Sequence, residues 1–267
     1  MSKLQVLTIA GSDSGGGAGI KADIKTFQER DVFGTSVITA VTAQNTHGVQ
    51  GVYKVPLEGV QQQLESIFDD FSIQAIKTGM LVDDTYMTLI ADFLEKHPTI
   101  PLVVDPVMIA KGGANLMENN AVKVMQDRIV PIATLLTPNI PEAEKLAEIP
   151  IRTEADMMEA AKILQKMGSK NIVIKGGHSL NKDFARDYFL MEDGSDHWYD
   201  APRIDTPDTH GTGCTYSACI TAELAKGETM KQAVATGKAF IHAAIANPIH
   251  VGHGHGPTNH WAYGEGL

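Results

Sequence analysis

Six short apolar runs, residues 4–10, 36–42, 75–80, 102–108, 135–139 and 171–175, punctuate the chain. Each reads as a strand buried on both faces of a parallel sheet. Between them apolar side chains return every three or four positions, as at Ile20, Ile24 and Phe27, and residues 58–71, 156–167 and 230–246 likewise read as helices. Another helix runs through Ala225, and one starts at Pro141, where proline and acidic neighbours suit a first turn. Residues 184–190 and 197–199 form an antiparallel hairpin around Glu192-Asp-Gly194. Strand-helix alternation predicts an α/β fold, a mainly parallel sheet covered on both faces. No internal repeat, charge block or low-complexity linker divides residues 1–267, so a single domain is expected.

The densest polar stretch is Asp205-Thr-Pro-Asp-Thr-His-Gly-Thr-Gly-Cys214, which leads directly into an alanine-rich helical pattern. First-turn N–H groups lack intrahelical partners and the helix dipole adds positive potential, so Gly211, Thr212, Gly213 and Cys214 suit a phosphate or oxyanion. The same field would lower the Cys214 thiol's pKa, and His210 is placed to exchange a proton at neutral pH. The plainer reading is a capped helix start, with Thr212 as cap and Cys214 as a small buried hydrophobe.

Strand ends supply the other candidates. Residues 11–19 form a glycine-rich loop between strand and helix that lacks both the dinucleotide fingerprint and the P-loop ending; it reads as a ligand loop or as a flexible turn. Gln44, Asn45 and Thr46 offer hydrogen bonds to a polar heterocycle. Asp105 ends an apolar strand facing the expected crevice, together with Met108, and suits magnesium or a turn before Pro106. Asn139 and Glu142 suit magnesium from a second strand, or simply cap the helix. Lys175, beside Gly176 and Gly177, suits a phosphate contact or the surface. Residues 111–115 read as a flap. The tail histidines His250, His253, His255 and His260 lack fixed ligand spacing and read as a loop rather than a metal site.

Composition narrows the classes. Of 267 residues, 43% are hydrophobic and 20% charged, as in soluble globular proteins. A net charge of −10 argues against nucleic acid or anionic membrane as partner and leaves a small molecule. Cys214 and Cys219 suit neither a disulfide framework nor a zinc site, and no signal peptide or membrane helix is read, so a cytoplasmic location is expected.

Taken together, Ala10-Gly-Ser-Asp-Ser-Gly-Gly-Gly-Ala-Gly-Ile-Lys-Ala-Asp23, Ala43-Gln-Asn-Thr46, Lys77-Thr-Gly-Met80, Asp105-Pro-Val-Met108, Thr137-Pro-Asn139, Lys175-Gly-Gly177 and His210-Gly-Thr-Gly-Cys-Thr215 resemble the hydroxymethylpyrimidine/phosphomethylpyrimidine kinases of the ribokinase-like superfamily. The resemblance runs nearly end to end. It implies a three-layer α/β/α fold, ATP as co-substrate, Mg2+, and phosphorylation of a hydroxymethylpyrimidine and then its monophosphate in thiamine biosynthesis. It also implies a homodimer. By the same resemblance Gly11, Asp23, Gln44, Met80 and Val107 contact the pyrimidine. Lys175, Asn139 and Thr212 serve the nucleotide, and Asp105 and Glu142 the metal. Gly211 to Cys214 form the anion hole with His210 assisting, and Cys214 stands where most ribokinase-like sugar kinases carry a basic aspartate. The vitamin B6 kinases of the branch are the rival. They share the Cys214 pattern, but carry a Met-Asp-type pair within the segment where this chain has Ala43-Gln-Asn-Thr46. A catalytically silent ligand-binding regulator on the same fold is the remoter alternative.

Overall fold

The computed structural model describes residues 3–108, 119–178 and 183–266. Its strands are β1 (Gln5–Asp13), β2 (Phe33–Asn45), β3 (Gly48–Lys54), β4 (Ile73–Thr78), β5 (Leu102–Val104), β6 (Leu135–Leu136), β7 (Asn171–Ile174), β8 (Phe184–Leu190) and β9 (Asp196–Pro202). They form one sheet in the order β3-β2-β1-β4-β5-β6-β7-β8-β9. The six from β2 to β7 in that order run parallel, with β3 antiparallel at one edge and β8 and β9 antiparallel at the other. The helices are α1 (Gly19–Glu29), α2 (Leu57–Asp70), α3 (Asp84–Leu94), α4 (Asn119–Val124), α5 (Ile140–Ala147), α6 (Glu154–Lys166), α7 (Thr212–Ala225) and α8 (Met230–Ala246).

Successive strand side chains leave opposite faces of the sheet, and here they divide into two cores. Leu7, Ile9, Leu102, Val104, Leu136 and Ile172 pack with α2 to α6. Val6, Val103, Leu135 and Val173 pack with α1, α7 and α8 through Phe27, Tyr216, Ile220 and Val234. The parallel strands are apolar throughout because both of their faces are covered.

Several boundaries differ from the sequence reading. β5 stops at Val104 instead of Met108, since Pro106 has no N–H for the ladder. Met108 consequently turns into the core, fully buried, and Val107 faces the cleft. β3 adds a mostly exposed edge strand whose two glycines hide it from pattern reading; it forms because β2 offers a free edge. Residues 111–115, read above as a flap, lie outside the described residues.

Candidate active site

Chain order reverses about β1, which has β2 on one side and β4 on the other. The carboxyl ends of the parallel strands there open into a cleft of about 1010 Å³, where open α/β sheets bind ligands. β1 delivers Gly11 and Asp13, and β2 delivers Gln44. Met80 follows β4, Asp105 and Val107 follow β5, Asn139 follows β6 and Lys175 follows β7. The start of α7, Gly211 to Cys214, completes the lining.

α7 begins at Gly211, with φ of 81°, and not at a Thr212 cap. A Cβ at Gly211 would run into the carbonyl oxygen of Gly17, so glycine is what lets the β1 loop and the α7 start meet. The Thr212 hydroxyl is turned back to donate to the Thr209 carbonyl at 2.7 Å. The first helical bond of α7 runs from Thr215 N–H to Gly211 O, leaving the N–H groups of Gly213 and Cys214 ahead of the ladder. A Cβ at Gly213 would lie 3.2 Å from both Asp105 Oδ2 and Lys175 Nζ, so the helix start abuts that ion pair directly.

Lys175 Nζ donates to Asp105 Oδ1 at 2.7 Å. Burial opposes the lysine's charge, but the Asp105 and Glu142 carboxylates outweigh it and hold its pKa up. Glu142 and Asn139 cap α5 reciprocally: Asn139 N–H donates to Glu142 Oε2 at 2.8 Å and Glu142 N–H to Asn139 Oδ1 at 2.9 Å. The capping alternative read from the sequence is therefore present in the structure. Burial, with Asp105 adding to it and Lys175 opposing it, pushes Glu142 up to about 7. Two nearly buried carboxylates of hard-oxygen chemistry, one destabilised in its charged form, fit a divalent cation completed by phosphate and water. No cluster of three His, Cys, Asp or Glu suited to a metal occurs among the described residues, which separates this pair from a fully protein-ligated site.

Cys214 opens partly onto the cleft while its sulfur sits among protein groups. The expected lowering of its pKa is overturned: burial pushes the thiol up to about 11, against the pull of Lys77 and the Gly19 N–H. Asp23, expected at the substrate, is corrected as well. It is fully buried on α1, paired with fully buried Lys77 at 2.8 Å and accepting from the Thr8 hydroxyl at 2.6 Å. Helical spacing turned Asp23 inward beneath the cleft, where Lys77 is held protonated by Asp23 despite burial. Asn45 and Thr46 are not among the residues that line the cleft: Asn45 Oδ1 accepts the His47 N–H, and Thr46 Oγ1 the Gly254 N–H at 3.1 Å.

His210 Nε2 lies 2.8 Å from Asp13 Oδ2, a residue the sequence reading passed over. In the sequence it sits within the glycine-rich loop beyond the apolar run 4–10, and only the structure carries β1 on to it. Asp187 and Lys238, also in the cleft, pair at 2.7 Å and come from β8 and α8. A separation of 51 residues gave no local signal for that pair. Beside them Ile241, His242 and Ile245 line the same cleft as Gln44 and the α7 start.

A three-layer α/β/α sandwich in which a helix start, a lysine and two carboxylates meet at the strand ends has the architecture of the ribokinase-like small-molecule kinases. Comparison with known proteins narrows the class. The profile of the family described as phosphomethylpyrimidine kinase matches residues 13–259, and the chain belongs to that family. The chain is 57% identical to the hydroxymethylpyrimidine/phosphomethylpyrimidine kinase of Haemophilus influenzae, over 97% of each chain. Among solved structures, a Bacillus subtilis pyridoxal kinase bound to ADP matches with a TM-score of 0.91 and 38% identity, covering 98% of this chain and 99% of the other. A Clostridium difficile phosphomethylpyrimidine kinase matches with a TM-score of 0.81 and 39% identity, covering 91% and 100%.

Proposed function

We propose that this chain is an ATP- and magnesium-dependent kinase for 4-amino-5-hydroxymethyl-2-methylpyrimidine and then for its monophosphate, serving thiamine biosynthesis. The observation that carries the reading is the contact inside the cleft between the α7 start and the Lys175–Asp105 pair, which Gly213 abuts. Gly11, Gln44, Met80 and Val107 hold the pyrimidine on one side of the cleft. The nucleotide occupies the other, with its phosphates at Lys175, Asn139, Thr212 and the free N–H groups of α7. Asp105 and Glu142 would hold magnesium, which supplies charge neutralisation on the transferring phosphoryl group.

The substrate oxygen attacks the terminal phosphorus, the bond to the departing ADP breaks, and the oxygen's proton passes to Cys214. In a loose transition state that proton leaves late, so a small thiolate fraction suffices. A 45–57% identity to curated relatives bearing the pyrimidine-kinase name supports this choice of substrate. The pyridoxal-kinase reading draws on the ADP-bound Bacillus neighbour. Comparing kcat/KM for the pyrimidine, its monophosphate, pyridoxal and pyridoxine under ATP and magnesium decides between them. Dominance of both pyrimidine steps is expected; dominance of pyridoxal would overturn the assignment, and absence of any phosphoryl transfer would favour the silent regulator.

The enzyme works as one domain in the cytoplasm. No helix among the described residues is long and apolar enough to cross a membrane. Val41, Val52 and Tyr53, exposed on the β2–β3 edge, support a homodimer, which light scattering tests.

A further inference from the structure

Asp13 is placed as a hub beside the α7 start, on the far side of His210 and the Gly17 loop. Its Oδ1 accepts the Gly15 N–H at 2.7 Å. Its Oδ2 accepts the N–H groups of Gly17 at 3.1 Å and Ala18 at 3.0 Å, and faces His210 Nε2 at 2.8 Å. Beyond the imidazole, Gln44 Nε2 lies 3.3 Å from the same His210 Nε2, and Gln44 Oε1 lies 2.9 Å from Thr42 Oγ1. Thr42 Oγ1 in turn lies 3.3 Å from the Ser12 carbonyl.

Two proton counts bear on this chain of contacts. Asp13, buried and already accepting three backbone N–H groups, is a carboxylate with acceptors only, so His210 Nε2 must carry the hydrogen between them. An Nε2–H then confronts the amide hydrogens of Gln44, two donors face to face. Independently, the Thr42 hydroxyl has one hydrogen and two acceptors, Ser12 O and Gln44 Oε1. Turning the Gln44 amide by 180° resolves both conflicts, and the shapes of amide oxygen and nitrogen are nearly the same. The one Nε2 hydrogen of His210 is then shared between Asp13 Oδ2, the shorter contact, and Gln44 Oε1, while the amide nitrogen donates to Thr42 and Thr42 donates to Ser12. The Nε2 hydrogen of His210 and the Thr42 hydroxyl hydrogen then both find acceptors.

We propose that Asp13 is a positioning residue that fixes His210 as the Nε2–H tautomer and thereby turns the carbonyl oxygen of Gln44 toward the imidazole. Asp13 itself needs no contact with the substrate. Its consequence for recognition rests on the reading that Gln44 faces the pyrimidine: one amide hydrogen and one oxygen lone pair of Gln44 remain for the ligand, in an order along the ring edge that Asp13 dictates. An aminopyrimidine edge, with a donor amino group beside an acceptor ring nitrogen, is matched in one order only. Gln44 flipped would present donor to donor. Neither Asp105, Glu142 nor Lys175 takes part, so the device is separate from the phosphate side of the cleft.

The test is long-range proton–nitrogen NMR of the full chain labelled in the histidine rings, with His210 assigned from the difference against His210→Gln. At pH 8 the wild type is expected to show His210 with its hydrogen on Nε2; a hydrogen on Nδ1 overturns the proposal. Asp13→Asn keeps the shape and removes the charge, and is expected to shift the ring toward a tautomer mixture and to raise KM for the pyrimidine about tenfold. KM for ATP should stay within about twofold. Equal losses for both substrates, or an unchanged tautomer, would mark Asp13 as a loop-former only and overturn the proposal. The wild-type tautomer decides the matter even if Asp13→Asn does not fold. It also needs no substrate, so it is read separately from Gln44→Met, whose failure to raise pyrimidine KM would instead overturn the substrate-contact reading.

Discussion

The thiol of Cys214 occupies the first turn of α7, where the helix field favours an anion, yet burial pushes it up to about 11. Desolvation outweighs the local field because Asp23 and Asp105 add negative potential against Lys77. At neutral pH the thiol is therefore protonated. Two outcomes follow. Alkylation by iodoacetamide should accelerate roughly tenfold per pH step up to about 11, with fully buried Cys219 silent. Cys214→Ala should cut kcat by about 100-fold or more while changing the pyrimidine KM little, since a proton acceptor acts mainly in the transition state. Retained turnover in that variant would leave Cys214 only the shaping of the anion hole. Residue types were legible in the sequence at this scale, and their charge states were not: Asp23 reads as a polar residue of a ligand motif, and its burial against Lys77 comes from a strand it meets 54 positions away.

Among the elements, the α7 start shows how local sequence and long-range contact divide the work. Gly-Thr-Gly announces a helix start with room for an anion, whereas the need for glycine at position 211 arises from Gly17, nearly 200 residues earlier. Gly211→Ala would combine a left-handed backbone, costing about 1–2 kcal/mol, with a collision against the Gly17 carbonyl. A loss of stability of about 2 kcal/mol or more is expected in thermal denaturation, with loss of activity from displacement of the α7 N–H groups. An unchanged Tm would mean that the β1 loop gives way freely. α3 was legible but passed over: Asp83 caps it by accepting from Thr85 and Tyr86, and Tyr86, Met87, Ile90, Ala91 and Leu94 repeat at helical spacing. β3 was not legible, because an exposed edge strand with two glycines has no buried face to impose alternation.

For the molecule as a whole, acid stability ties the tail to α7. His260 is buried, its Nε2 3.1 Å from Thr215 Oγ1, and burial, aided by Lys25, lowers its pKa to about 4. The unfolded chain takes up the proton near 6.5 and the folded chain only near 4, so His260 costs no stability above 6.5 and progressively more as pH falls. The loss by pH 4 is about 3 kcal/mol. Glu142, whose folded pKa of about 7 exceeds its ordinary 4.5, works in the opposite sense over pH 7 to 4.5. The histidine is thus read as a difference: urea unfolding of His260→Gln and wild type should give curves that converge above pH 7 and separate below 6, the variant losing less. Parallel curves would show that His260 titrates normally.

By itself the sequence determined the alternation of strands and helices, the sheet's parallel character, the glycine-flanked start of α7 and the acidic, lysine and glutamine side chains at strand ends. These depend on periodicity, glycine punctuation and the rule that crevices lie beyond strand carboxyl ends, all of them local or nearly so. Tertiary structure alone decided which polar residues reach the cleft, which are buried beneath it, and what charge each carries. Asp13 meeting His210, Lys77 meeting Asp23 and Asp187 meeting Lys238 join residues 197, 54 and 51 positions apart. Protonation follows from the balance of burial against such partners, and that balance exists only once distant strands and helices have been packed together.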